Sequence, residues 1–215
     1  PLRIDVDHMF DLMRDLDPHE VPPALSTVQG DDAAIFVLPS EANAEELAAW
    51  KALATAWEPE AEQVLDSELE ALPAHGAWVL GYDNAHAATV EELTGAGVSL
   101  NRDTSGVAGS NDAAHGRRRS AMGMIQIGAE VMPLLDHSLV LVGRAPSEPN
   151  AAWAWVAADP VTAIPGLARK LPHYSKYGYL GFDGDDPTNV MKGLWEAQGS
   201  PLTVNLSDQP LVPFA

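Results

Sequence analysis

Apolar residues recur along this chain at two periods, one helical and one extended. In IDVDHMFDLMRDL, the residues Val6, Met9, Phe10, Met13 and Leu16 fall at helical spacing with acids between them, which predicts an opening helix. Asp17-Pro18 stops that helix, and HEVPPAL follows as an extended connector. AAIFVLP is a short continuous apolar run of the kind buried on both faces of a parallel sheet. Ser40 is then a candidate N-cap, and Leu47, Trp50, Leu53 or Ala54, and Trp57 draw one helical stripe as far as Glu58-Pro59. EQVLD predicts a second strand, SELEAL a turn of helix, and GAWVLGYDN a third strand. Residues 84 to 95 predict another helix, followed by a short strand in GVSLN.

The pattern changes after a polar stretch rich in Gly, Ser, Asn and Asp, from Arg102 to Ser120, which predicts an exposed loop. MIQIGAEVMP predicts a hairpin turning at Gly128-Ala129, and SLVLVGRA and AAWAWVAA predict successive strands. Asp159-Pro160 is a helix-start signal for a helix to about Lys170, which Pro165 splits. YGYLGF and NVMKGLW form the last predicted hairpin, with GDDPTN in its turn. The expected fold class is therefore α/β: a small three-layer α/β unit with a partly parallel sheet, then an antiparallel, hairpin-rich half from about residue 121. Residues 1–30 are expected as a helical lead-in and connector, and 31–215 as a single domain. No period of 20 to 50 residues repeats, which argues against a solenoid.

Composition narrows the partners. The formal net charge is −19 over 215 residues, against 31 acids and 12 bases. Phosphate binding needs a basic face, so a nucleic acid or an anionic membrane is not the expected partner. No apolar run reaches the length of a membrane span. With no cysteine, disulfides and thiol chemistry are excluded, and neither a cytoplasmic nor an exported location is favoured. The oligomeric state is left open. The first residue is Pro1 rather than Met, which reads as a chain trimmed, matured or cut from a larger reading frame.

The motifs of zinc proteases, α/β-hydrolases, nucleotide hydrolases and dinucleotide enzymes are absent, so no catalytic residue is expected here. The seven histidines do not cluster at metal-ligand spacing, and no metal is expected; DGDDPTN fails the calcium-loop pattern and suits a turn. HGRRRS, residues 115–120, either grips an anion or pairs with nearby carboxylates. Asp83 and His86 sit at the end of an apolar strand, where open α/β sheets place ligands. They either orient a proton transfer or, with Asn84, cap the next helix. In LPHYSKYGYLGF, His173, Tyr174, Lys176 and Tyr177 form either a satisfied structural corner or a surface for a partner domain. Tyr177 and Tyr179 are at strand spacing, which predicts one shared face.

The segment AAWAWVAADPVTAIPGLARKLPHYSKYGYLGFDGDDPTNVMKGLWEAQGSPL resembles the C-terminal region of large bacterial metallopeptidases of the gluzincin aminopeptidase type. GAWVLGYDN and DHSLVLVGRAP resemble earlier parts of the same tail; the likeness is close over residues 153–202 and faint before Asp31. In that family zinc is held by His-Glu-x-x-His and a later Glu in an upstream catalytic domain, and none of those ligands has a counterpart here. The resemblance implies a non-catalytic accessory domain whose partner is an upstream domain of the same polypeptide, with no cofactor of its own. Two alternatives stand beside it: a free-standing small-ligand enzyme using Asp83 and His86, and a stand-alone protein-binding module.

Overall fold

Short apolar runs with turn residues at both ends become strands, and their number decides the architecture. A computed structural model describes residues 3–7, 11–94, 96–100, 123–197 and 199–206. The strands in chain order are β1 (Arg3–Asp5), β2 (Ile35–Leu38), β3 (Gln63–Leu65), β4 (Ala77–Leu80), β5 (Gly97–Leu100) and β6 (Gly123–Ile127). They continue as β7 (Glu130–Pro133), β8 (His137–Arg144), β9 (Ala152–Ala157), β10 (Tyr179–Asp183), β11 (Thr188–Gly193) and β12 (Thr203–Asn205). The helices are α1 (Leu25–Gln29), α2 (Ala44–Trp57), α3 (Ala87–Thr94) and α4 (Ile164–Lys170).

The chain divides into two units, one of residues 23–195 and one of residues 1–22 with 196–215. The larger unit holds a seven-stranded sheet in the order β11-β10-β8-β9-β4-β2-β3. Four neighbours, β3, β2, β4 and β9, run parallel, and β8, β10 and β11 continue the sheet antiparallel. The α/β class with a partly parallel first half and a hairpin-rich second half is what the apolar pattern predicts. Because side chains alternate across a strand, β2 feeds two cores. Phe36 and Leu38 join Trp50, Leu53, Trp78, Leu80, Leu180 and Phe182 on one side. Ile35 and Val37 join Val79, Leu139, Leu141 and Trp155 on the other, with α3 residues Ala87 and Val90. A separate antiparallel sheet, β5-β6-β7, covers this second core through Ile125 and Met132.

α2 forms as its stripe predicts: Trp50, Leu53 and Ala54 are buried, and Leu47 and Trp57 pack at the margin of the core. Its N-cap is Asn43, not Ser40. The Asn43 side chain accepts the Glu46 amide at 2.9 Å, while the Ser40 amide is drawn to Asp66. Asp159 likewise does not cap a helix. Its carboxylate accepts the Asp136 amide at 2.8 Å, and the chain makes a 3-10 turn before α4 opens with Pro165 in its first turn. The helix α1 begins at the end of the expected connector, ahead of the next apolar run, where the sequence predicts no element.

The smaller unit corrects the opening helix. Residues Arg3–Asp5 are a strand, paired antiparallel with β12 so that Ile4 lies opposite Val204. Asp7 holds the Leu12 amide at 3.0 Å and the Arg14 guanidinium at 2.8 Å. Arg14 also reaches both carboxylate oxygens of Glu20, at 2.7 and 2.9 Å. These side-chain bonds offer the backbone an alternative to the helix, and Val6, Met13 and Leu16 stay exposed. Met9 and Phe10 lie outside the described residues, as does the loop 102–120 with its triple arginine. Among the described residues no helix is long and apolar enough to cross a membrane.

Candidate functional site

In an open α/β sheet the crevice lies where successive connections leave a strand in opposite directions. Here that place is the carboxyl end of β2, since the chain goes from β2 to β3 on one side and then to β4 on the other. Three segments meet there: Pro39-Ser40 after β2, Asp66 after β3, and Gly81 to His86 after β4. Gly81 has φ of 92°, and a Cβ there would sit 2.9 Å from the Pro39 ring, so only glycine suits the exit from β4. Its carbonyl accepts the Trp155 indole N–H at 2.9 Å.

The polar side chains of this edge bind one another's backbones. Asp66, 2% exposed, accepts the Ser40 amide at 2.9 Å and the Ala85 amide at 2.8 Å. Burial works against its charge, but the Ser40 hydroxyl and the amides around it more than offset that. Its carboxyl is held below the ordinary aspartate range. The Asn84 amide group donates to the carbonyls of Val37 and Leu80, at 2.9 and 3.0 Å, and its oxygen accepts the His86 amide at 3.0 Å. Asp66 and Asn84 thus tie the ends of β2, β3 and β4 into one knot.

Of the residues singled out in the sequence, Asn84 takes the capping role before α3. Asp83 is exposed and His86 is 8% exposed, and no hydrogen bond or ion pair joins them among the described residues. The His86 Nε2 has no hydrogen-bond partner there. Asp66 carries no local signal of its role, because its partners are 26 and 19 residues away.

The second group is dispersed along a corner of the sheet. His173 and Lys176 are exposed, and neither hydrogen-bonds a tyrosine hydroxyl among the described residues. Tyr174 packs edge-on against Phe182 at 5.5 Å and beside Tyr177 at 5.9 Å. The ammonium groups of Lys176 and Lys192 lie 5.2 and 5.6 Å from the Tyr177 ring, within cation–π range. Tyr177 and Tyr179 do not share a face. Tyr177 precedes the strand and packs on the α2 side, whereas Tyr179 packs on the opposite side against Trp195 at 4.9 Å. The DGDDPTN turn is braced by Lys170, whose ammonium reaches Asp186 at 2.9 Å and the Pro187 carbonyl at 2.6 Å.

At the other end of the parallel strands lies a cavity of about 490 Å³ that the sequence reading did not find. It opens between the end of α1, the last turn of α2, Asp31 and Asp32 before β2, and Trp78 of β4. Trp57 and Trp78, with ring centres 4.8 Å apart, line it, together with Glu58 and Glu60. No lysine or arginine is among its lining residues. The signal was present as Asp31-Asp32 and Trp57-Glu58-Pro59-Glu60, but nothing local says that the two meet.

Comparison with known proteins brings no relative: no family model, no curated protein and no solved structure matches the chain.

Proposed function

We propose that this chain is a non-catalytic accessory domain of a larger, peptidase-like protein, working through contact with another part of the same polypeptide. The observation that carries this reading is the knot at the carboxyl ends of β2, β3 and β4. The groups best placed for chemistry there, Asp66 and Asn84, are committed to backbone amides and carbonyls. The phrase that resembles the aminopeptidase tail supports it, and that phrase covers β9, α4, β10 and β11.

Two measurements test it. The reading frame upstream of Pro1 is expected to encode His-Glu-x-x-His in frame; a start codon directly before Pro1 would sink the proposal. The purified chain, supplied with zinc and aminoacyl nitroanilides, is expected to give no turnover above buffer. Turnover proportional to its concentration would equally reject the accessory role.

The buried, unpartnered Nε2 of His86 favours a second reading, a small-ligand enzyme at this strand end. Under it, alanine at Asp83 and His86 abolishes an activity and leaves the fold intact.

A further inference from the structure

We propose that the outer edge of β11 takes up an extended peptide in which apolar and acidic residues alternate. β11 ends the seven-stranded sheet: β10 pairs with one side of it, and no strand pairs with the other among the described residues. Such an edge presents a row of backbone donors and acceptors to an added strand. The two edges of this sheet differ. β3, at the far edge, is three residues long and is flanked in sequence by Glu60, Glu62, Asp66 and Glu68. β11 is six residues long, and residues 187–195 contain no acid. In a chain of net charge −19, that is the edge an acidic strand can approach.

The two faces beside the edge fix the chemistry of the occupant. On the face of the second core, a groove of about 300 Å³ runs between β7 and β11, lined by Val131, Met132, Pro133, Val190 and Met191. Val131 and Val190 are 55% and 53% exposed, so apolar surface stands open on both banks. On the opposite face, Lys192 of β11 and Lys176 stand about the Tyr177 ring. Neither lysine forms an ion pair among the described residues. Side chains of an added strand alternate between the two faces. A residue over the groove is therefore apolar, and its neighbours over Lys176 and Lys192 are acidic.

A second copy of the chain is the rival strand donor. Pairing of β11 with itself brings together two chains of charge −19 and leaves the ammoniums without carboxylates. The register of β11 skips Val190, a bulge that twists the edge, and Lys192 adds a charge to it. Both features discourage indiscriminate pairing and leave the edge open to a strand of the right charge. The inference holds whichever polypeptide supplies that strand, so it does not depend on the accessory role.

The test uses the full chain and a fluorescein-labelled peptide, Gly-Val-Glu-Val-Glu-Val-Gly, followed by anisotropy at about 0.15 M ionic strength. The expected result is saturable binding with one site per chain. Because the net charge repels this probe, such binding reports a local site rather than the surface as a whole. Lys176→Gln with Lys192→Gln should weaken it at least about 5-fold, whereas Lys51→Gln, exposed on α2, should leave affinity within about 2-fold. Saturating peptide should slow hydrogen exchange of the backbone amides of residues 190–193 and leave those of β3 unchanged. No saturable binding overturns the proposal. So does binding that is indifferent to the two lysines, or that leaves exchange in β11 unchanged. A dimer mass by light scattering that the peptide does not split, with β11 already protected, would give the edge to a second copy and overturn it too.

Discussion

Single carboxylates in this protein do structural work that their neighbours in sequence do not announce. Asp66 serves two amide donors from different segments, and Asp66→Asn would aim an amide N–H at one of them. The expected loss is about 2 kcal/mol, the usual cost of leaving a buried donor unsatisfied, read from a urea midpoint that falls without a change in slope. Glu20 gives a pH signature in the smaller unit. The Arg14 guanidinium, with the Ser200 hydroxyl and the Asp17 amide, lowers its carboxyl to about 2 from an ordinary 4.5. A carboxyl whose pKa is lower in the folded state stabilises that state above its unfolded value, and the contribution fades as pH falls from about 4.5 to about 2. The Arg14 Nη–H resonances, which face Glu20, should shift as pH falls toward about 2, and Glu20→Gln should remove that response. A resonance that titrates unchanged in the variant would mean that another group sets it.

At the scale of elements, the strands of the larger unit were legible and the caps of α2 and α4 were not. β2, β4, β8 and β9 are continuous apolar runs, and burial on both faces leaves them no other role. α2 was legible from its stripe, but its start lies three residues beyond Ser40 because Asp66, distant in sequence, competes for the Ser40 amide. Asn43→Ala is expected to cost about 1 kcal/mol, as for other N-cap losses, whereas a loss at Ser40 instead would restore it as the cap. The opening segment failed for the opposite reason. Its helical period is real, but Asp7, Arg14 and Glu20 bind one another and the backbone more locally than a helix allows. The candidate site was half legible: Asn84 stands in a recognisable strand-to-helix junction, while the Trp57–Trp78 cavity exists only once β4 lies beside β2. α4 offers a packing test. A Cβ at Gly166 would overlap the Pro187 ring in the turn after β10. Gly166→Ala should therefore destabilise by about 1–3 kcal/mol, the usual range for overpacking, despite alanine's better helix propensity. A neutral result would show that the turn yields.

For the whole molecule, a net charge of −19 sets a background against which every local contact acts. Self-repulsion of this size disfavours the folded state, and salt screens it. Raising ionic strength from about 0.01 to about 0.15 M shortens the screening length from about 30 to about 8 Å. The thermal midpoint should rise over that interval; a flat or falling midpoint would mean that ion pairs such as Arg14–Glu20 outweigh the repulsion. The division into two units has an optical consequence. All six tryptophans, Trp50, Trp57, Trp78, Trp153, Trp155 and Trp195, belong to the unit of residues 23–195. Indole emission therefore reports the seven-stranded sheet and is blind to the β1–β12 ribbon. Melts followed by fluorescence and by far-ultraviolet dichroism coincide only when the two units come apart together, so the gap between the two curves measures their cooperativity directly.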